Sequence, residues 1–450
     1  MRQRKPRCEP QAKPARQANP HAAAIDIGGE AHYVAVPADR DPTPIRSFGP
    51  FTSDLAAMAQ WLKDCRIETV VLESTGHFWI PVYDALEAAG FEVVLVDPRT
   101  LTRHLRKKSD VIDCQWLQEL HAVGLLKGCF RPDGQVRELR ALWRHRARLV
   151  VEAGKLLQRM QKVLVEMNVH LHLAVSDIAG TTGMRILRAI VQGQRDPAEL
   201  ARLRDPRCKR SEAEIARALE GVWRAEHLFE LKQMLRAWNF HQEQIGECDE
   251  QIEAVGGTFE DRSRGQTPSP ESKRAQDHRN TPAFDGRSLV LRMTGVDLTA
   301  VDGLGVNTVL TVLSETGPDL SRWPTAKHFA SWTKLSPRRD QSGKRIRSPS
   351  YPARGASRVA QAFRLAAQGL WRSPSAIGQN LRRLKARLGP ASAIRATAHK
   401  LAKLFWHLVT TGEAYRPADA AAQEQRHRER RVRSLQRQAK ELGLTLAPAI

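Results

Sequence analysis

An α/β sheet domain, then a long helical middle and a small, mainly helical C-terminal domain, is the architecture this 450-residue sequence predicts. Three observations lead there. Between residues 21 and 130, short apolar runs alternate with glycine turns and an apolar-periodic helix. From 136 to 255 the apolar residues switch to a three–four rhythm, which belongs to long helices in a coiled coil. Residues 256–288 contain no Val, Ile, Leu or Met and read as a polar linker. A second compact domain follows over 289–415.

The elements of the first domain follow in order. AAAIDIGG and HYVAVP are apolar runs around a glycine turn, a hairpin signal. ETVVLES is a buried-strand run, WIPVYDALEAAG a helix that ends at glycine, and FEVVLVDP a further strand. A hairpin followed by β-α-β alternation implies a mixed sheet flanked by helices. In the middle region the seam is Leu139, Leu142, Leu149, Ala153, Leu156, Met160, Val163 and Met167, with Arg146 the one break. Leu228, Leu231, Leu235, Trp238, Ile245 and Ile252 repeat it, as an antiparallel or intermolecular pair.

Composition narrows the partners. A net charge of +22 and a pI near 10.3 favour a polyanion, because Lys and Arg gain affinity for phosphates by releasing counterions. No stretch approaches the roughly 18 apolar residues of a membrane span. Residues 1–20 are a basic arm without the apolar core of a secretory signal, and 416–450 form a basic tail. The tail has seven Arg or Lys against one Glu between Arg426 and Lys440. The six cysteines show neither CxxC spacing nor clustering with His, which excludes the usual zinc patterns and argues against a disulfide framework. The expected location is the cytoplasm, at the nucleoid, and any metal would be held by carboxylates.

Four acids fit that requirement. Asp26 closes the first strand, and Glu73 ends ETVVLE. Asp110 and Asp113, in KKSDVIDC, are three apart and so share a helix face. A helix N-cap explains an isolated DxxD as well. Four converging carboxylates would repel unless cations join them. Two Mg²⁺ ions, with Mn²⁺ as the alternative, would resolve that and support phosphoryl transfer. Arg103, Arg106, Lys107 and Lys108 stand just ahead, placed to guide a phosphate backbone.

IDIGGEAHYVAV, VLESTGHFW and KKSDVIDCQWL, in that order, resemble the RuvC-like (RNase H-like) DEDD domain of IS110-family insertion-sequence transposases. The second domain is similar too: VDGLGVNTVLTVLSETG resembles that family's helix-hairpin-helix-like opening, and HFASWTKLSPRRDQSGKRIRSPS its serine-bearing segment. The resemblance assigns Asp26, Glu73, Asp110 and Asp113 to the DEDD positions and Ser342 to the nucleophile. It implies a metal-dependent recombinase that forms a covalent serine–DNA intermediate. It further implies guidance by a structured noncoding RNA and a site assembled in a dimer or tetramer. Lys344, Arg345 and Arg347 are phosphate-contact candidates, although a Ser-Gly between basic residues also makes a good turn. Gly29 and Cys114 depart from the family's usual lysine and alanine without removing a ligand, and RGASRVAQAF lacks an asparagine and an arginine often seen there.

Three rivals stand beside this reading. A junction-resolving nuclease would use the same acids to activate water, with no role for Ser342. A sugar kinase of the actin-like fold shares the DIGG hairpin but needs phosphate and adenosine motifs that are absent. A binding protein with a decayed site would have lost some of the five residues, and all are present.

Overall fold

The computed structural model describes the chain except residues 1–17, 75, 98–109, 271–278, 338–340, 343–344, 347–356 and 446–450. For Asp110, Gln341, Ser342, Arg345, Ile346, Ala420, Gln423, Arg426 and His427 it describes the backbone. The chain divides into two compact units, Met1–Arg131 and Pro132–Ile450.

The first unit is built on strands β1 (Ala22–Ile27), β2 (His32–Ala35) and β3 (Ile45–Phe48), helix α1 (Thr52–Asp64), strand β4 (Thr69–Glu73), helix α2 (Trp79–Ala88), strand β5 (Glu92–Val96) and helix α3 (Asp110–Ala122). The five strands form one mixed sheet in the order β3-β2-β1-β4-β5. The first three are antiparallel neighbours, and β4 and β5 run parallel to β1. This agrees with a RuvC-like α/β domain. Because strand side chains alternate, the sheet has two different faces. Ala23, Ile25, Ile27, Val70 and Leu72 look towards Leu55, Met58 and Leu62 of α1 and Val82 and Leu86 of α2. Ala24, Ala35, Val71 and Val96 pack instead against Cys114 and Leu117 of α3.

The second unit begins with two 33-residue helices. They are α4 (Gly134–Glu166) and, after the short helices α5 (Leu171–Ala174), α6 (Thr181–Val191), α7 (Pro197–Arg202) and α8 (Glu212–Leu219), α9 (Ala225–Gly257). Gln135, at the start of α4, donates to the Thr258 carbonyl beyond the end of α9 at 3.3 Å. His227, near the start of α9, lies 3.9 Å from Glu166 at the end of α4. The pair is therefore antiparallel within one chain. Arg146, the break in the apolar rhythm, is on the buried face because Asp249 of α9 meets it there, Nε to Oδ1 at 2.5 Å. The described parts of 256–288 are tied down: the Arg262 N–H donates to Arg292 O at 2.7 Å, and Ala283 N–H to Asp249 Oδ2 at 3.1 Å.

Helices α10 (Gly286–Thr294), α11 (Val306–Thr316) and α12 (Ala326–Trp332), strands β6 (Gln341–Ser342) and β7 (Arg345–Ile346), and helices α13 (Arg358–Gly369), α14 (Ala376–Leu388) and α15 (Pro390–Thr411) complete the unit, followed by α16 (Ala420–Glu441). Their core is aromatic: Phe329, Phe363 and Phe405 are fully buried, with ring centroids 5.7–6.2 Å apart in the Phe363–Phe405 and Phe329–Phe405 pairs. Among the described residues, no helix is long and apolar enough to cross a membrane.

Candidate active site

The parallel pairing of β1 with β4 sets Ala24 beside Val71 and Ile25 beside Leu72. One more step of that register puts Asp26 beside Glu73, at the carboxyl edge of the sheet. Glu73 in turn pairs with Val96 of β5. Strand alternation places Asp26 with Ala24, and Glu73 with Val71, on the face that α3 covers. Both acids are half-buried and both have polar partners of their own.

Three contacts fix where α3 lies on that face. His121 Nε2 is 3.0 Å from Thr69 Oγ1, at the start of β4. Gln118 Nε2 donates to Ala22 O at 3.0 Å, at the start of β1. Cys114 Sγ lies 3.3 Å from Ala24 O and 3.0 Å from Tyr33 O, sharing its one S–H between them. Four residues of helix climb about 6 Å, and two residues of strand about 6.6 Å. The helix thus runs antiparallel to β1 in step with it, and the backbone of Asp110, four residues before Cys114, reaches the level of Asp26. Asp113 lies in the same first turn, half-buried on the flank of the helix.

Cys114 is the joint between helix and acids. Its thiol is pushed up to about 12, by burial first and by the Asp26 carboxylate as well, against the opposing pull of the Asp26 and Ala35 N–H groups. It stays protonated at neutral pH, with its S–H directed to the Ala24 and Tyr33 carbonyls. The donors that remain at this edge are carboxylate oxygens, a set that fits a hard divalent cation rather than zinc. Among the described residues, no group of three or more His, Cys, Asp or Glu is arranged to hold a metal, and the side chain of Asp110 falls outside that description. The structure thus brings Asp26, Glu73 and the start of α3 to one edge without a closed cage among the described side chains.

Two helix-seating residues, Gln118 and His121, escape a reading of the sequence. Their partners are 96 and 52 residues away, and neither belongs to a local motif. His121 is neutral by burial, its pKa lowered below the usual imidazole value. Cys114 was visible only as a departure from a common alanine.

Ser342 closes β6, with its backbone paired to Arg345 of β7. Residues 343–344, which join the two strands, lie outside the described residues. Of the basic candidates, Arg103, Arg106, Lys107, Lys108, Lys344 and Arg347 lie outside the described residues, and Arg345 is described by its backbone.

Two family models match the chain. Residues 23–169 match a model described as Transposase, the DEDD domain of the IS110 type. Residues 297–380 match one described as Transposase IS116/IS110/IS902 family. The first span contains all four acids and the second contains Ser342. No curated protein matches the chain.

Proposed function

The chain belongs to the IS110 family of transposases and is a DNA transposase/recombinase, and from that premise we propose how it cuts and rejoins DNA. The carboxylates of Asp26, Glu73, Asp110 and Asp113 hold divalent cations, Mg²⁺ or Mn²⁺, at the carboxyl edge of the sheet. Ser342 is the nucleophile. The observation that supports this most is the register that sets Asp26 beside Glu73 and brings the start of α3 level with them.

Bound cations would supply charge neutralisation for the phosphodiester and for the oxygens that attack and leave it. The chain's own groups do the rest. The four carboxylates would hold those cations beside the bound phosphate, and the half-buried setting of Asp26, Glu73 and Asp113 excludes part of the competing water. Ser342 Oγ forms a bond to phosphorus, the bond from phosphorus to one sugar oxygen breaks, and that oxygen leaves with a proton. The serine proton passes to a nearby base, since a free hydroxyl is a poor nucleophile. The phosphoserine–DNA bond conserves the energy for rejoining to another strand. A structured noncoding RNA that base-pairs with both DNA partners directs the choice of site, and the reaction runs in a dimer or tetramer. These last two features rest on the family resemblance alone.

A denaturing-gel assay for a protein–DNA adduct tests the reading. Wild type, Ser342→Ala and Asp26→Asn are incubated with element-end DNA, flanking noncoding RNA and Mg²⁺. An adduct that requires Mg²⁺ and disappears in both variants is expected. Cleavage without an adduct, unchanged by Ser342→Ala, would make water the nucleophile and the protein a resolvase-like nuclease.

A further inference from the structure

Helix α16 stands apart from the fold it follows. Its 22 residues are exposed or half-exposed wherever their side chains are described. It touches α14, where Arg383 pairs with Glu424 in its first turns. Beyond that point the helix carries two opposed stripes. Arg430, Arg433, Arg437 and Lys440 follow one another at intervals of three, four and three residues, which confines them to an arc of roughly 80°. Val432, Leu435, Ala439 and the C-cap Leu442 occupy a similar arc on the other side, at intervals of three, four and three.

Arg430, Arg433, Arg437 and Lys440 are all exposed, and among the described residues none of the four is ion-paired. The helix as a whole has seven Arg or Lys against three Glu, one of which is taken by Arg383. We infer that this cationic stripe is a phosphate-backbone contact for duplex DNA.

Several features single out that occupant. From Arg430 to Lys440 the stripe spans about 15 Å, nearly half a turn of duplex. Successive cations are about 5 Å apart, close enough to engage neighbouring phosphates along a groove wall. A second copy of the helix would bring like charges together. Its apolar stripe also covers only about one and a half heptads, against the three or four that a coiled coil sustains. An anionic membrane surface is disfavoured because the apolar side lacks the Trp or Phe that anchor interfacial helices. DNA is the polyanion that the transposase class supplies, so the inference rests on that reading for its choice of partner.

The test compares the full chain with the quadruple variant R430Q/R433Q/R437Q/K440Q, in which glutamine preserves helix propensity. Binding to a fluorescent duplex of about 30 base pairs is followed by anisotropy over a series of NaCl concentrations. The variant should lower the slope of log K against log salt by about 3 to 4, weaken binding at least tenfold near 0.1 M salt, and leave the far-ultraviolet dichroism unchanged. An unchanged slope overturns the inference. An RNA hairpin of similar length forms the second arm: a slope change on RNA with none on DNA also overturns it. If the unaltered chain does not bind the duplex at all, the failure belongs to the proposed function instead.

Discussion

The Arg146–Asp249 pair joins the two long helices where hydrophobic packing would be the simpler solution. Both side chains are about 95% buried, with 5% and 4% exposed. Asp249 accepts from Arg146 Nε at 2.5 Å and Nη2 at 3.2 Å, and from the Ala283 N–H at 3.1 Å. Arg146 also donates to the Asn280 carbonyl at 3.2 Å. Truncating Asp249 to alanine therefore leaves a buried guanidinium without its counter-charge and a backbone N–H without its acceptor. The first loss costs about 3–5 kcal/mol and the second about 1 kcal/mol. With a urea dependence of about 3 kcal/mol per molar, the midpoint followed by far-ultraviolet dichroism should fall by about 1–2 M. Arg146→Met combined with Asp249→Leu should recover most of that, because two apolar side chains carry no desolvation penalty. A shift below about 0.3 M for Asp249→Ala would refute the reasoning. So would a double variant as unstable as the single one, since it would mean that the helices need the charges themselves.

Two further outcomes follow from the groups that seat α3. Cys114, with its folded pKa near 12 against an ordinary value of 9.0, contributes stability that is complete below about pH 9 and is lost as pH rises towards 12, by about 1.4 kcal/mol per pH unit. Peptide mapping after iodoacetamide at pH 9 should find Cys114 unmodified in the native chain and modified in urea; native modification would contradict its burial. His121 works in the opposite direction, because burial lowers its folded pKa below 6.5. Its contribution is complete above about pH 6.5 and is lost as pH falls through the folded value. Hydrogen exchange of the Thr69–Glu73 strand should accelerate at pH 5 relative to pH 7 after correction for intrinsic rates, and His121→Gln should flatten that difference. An equal acceleration in the variant would place the acid sensitivity elsewhere, with His32, also lowered by burial, the next group to test.

The sheet was legible where burial writes itself into composition. Runs such as AAAIDI and TVVLE are apolar because their strands are covered on both faces. The edge strand IRSF escaped notice because half its residues face solvent and leave no alternation. Helix TSDLAAMAQWLKD also escaped, although Leu55, Met58, Ala59 and Leu62 bury one face of it. At the site, Asp26 and Glu73 could be found because each sets a charge at or one residue before the end of a buried run. What seats the DxxD helix could not be, since Cys114, Gln118 and His121 meet backbone and side-chain atoms 52 to 96 residues away. Likewise Arg146 looks like an interruption until its partner 103 residues later is known.

On the face beneath α3, strands β1 and β2 contribute small side chains beside the valines of β4 and β5: Ala22 and Ala24 are fully buried, and Ala35 is 1% exposed. They act as shims that set the height of the helix above the sheet. Strand-borne Asp26 and Glu73 are fixed to the lower layer, whereas Asp110 and Asp113 ride on the upper one. The vertical gap between the two halves of the acid set is therefore decided by buried methyl groups. Thickening a shim, as in Ala24→Val, would raise the helix and, under the proposed function, stretch a site whose two bound metal ions would have to stay about 3.5–4 Å apart. The spacing between strand-borne and helix-borne acids is thus written in alanines.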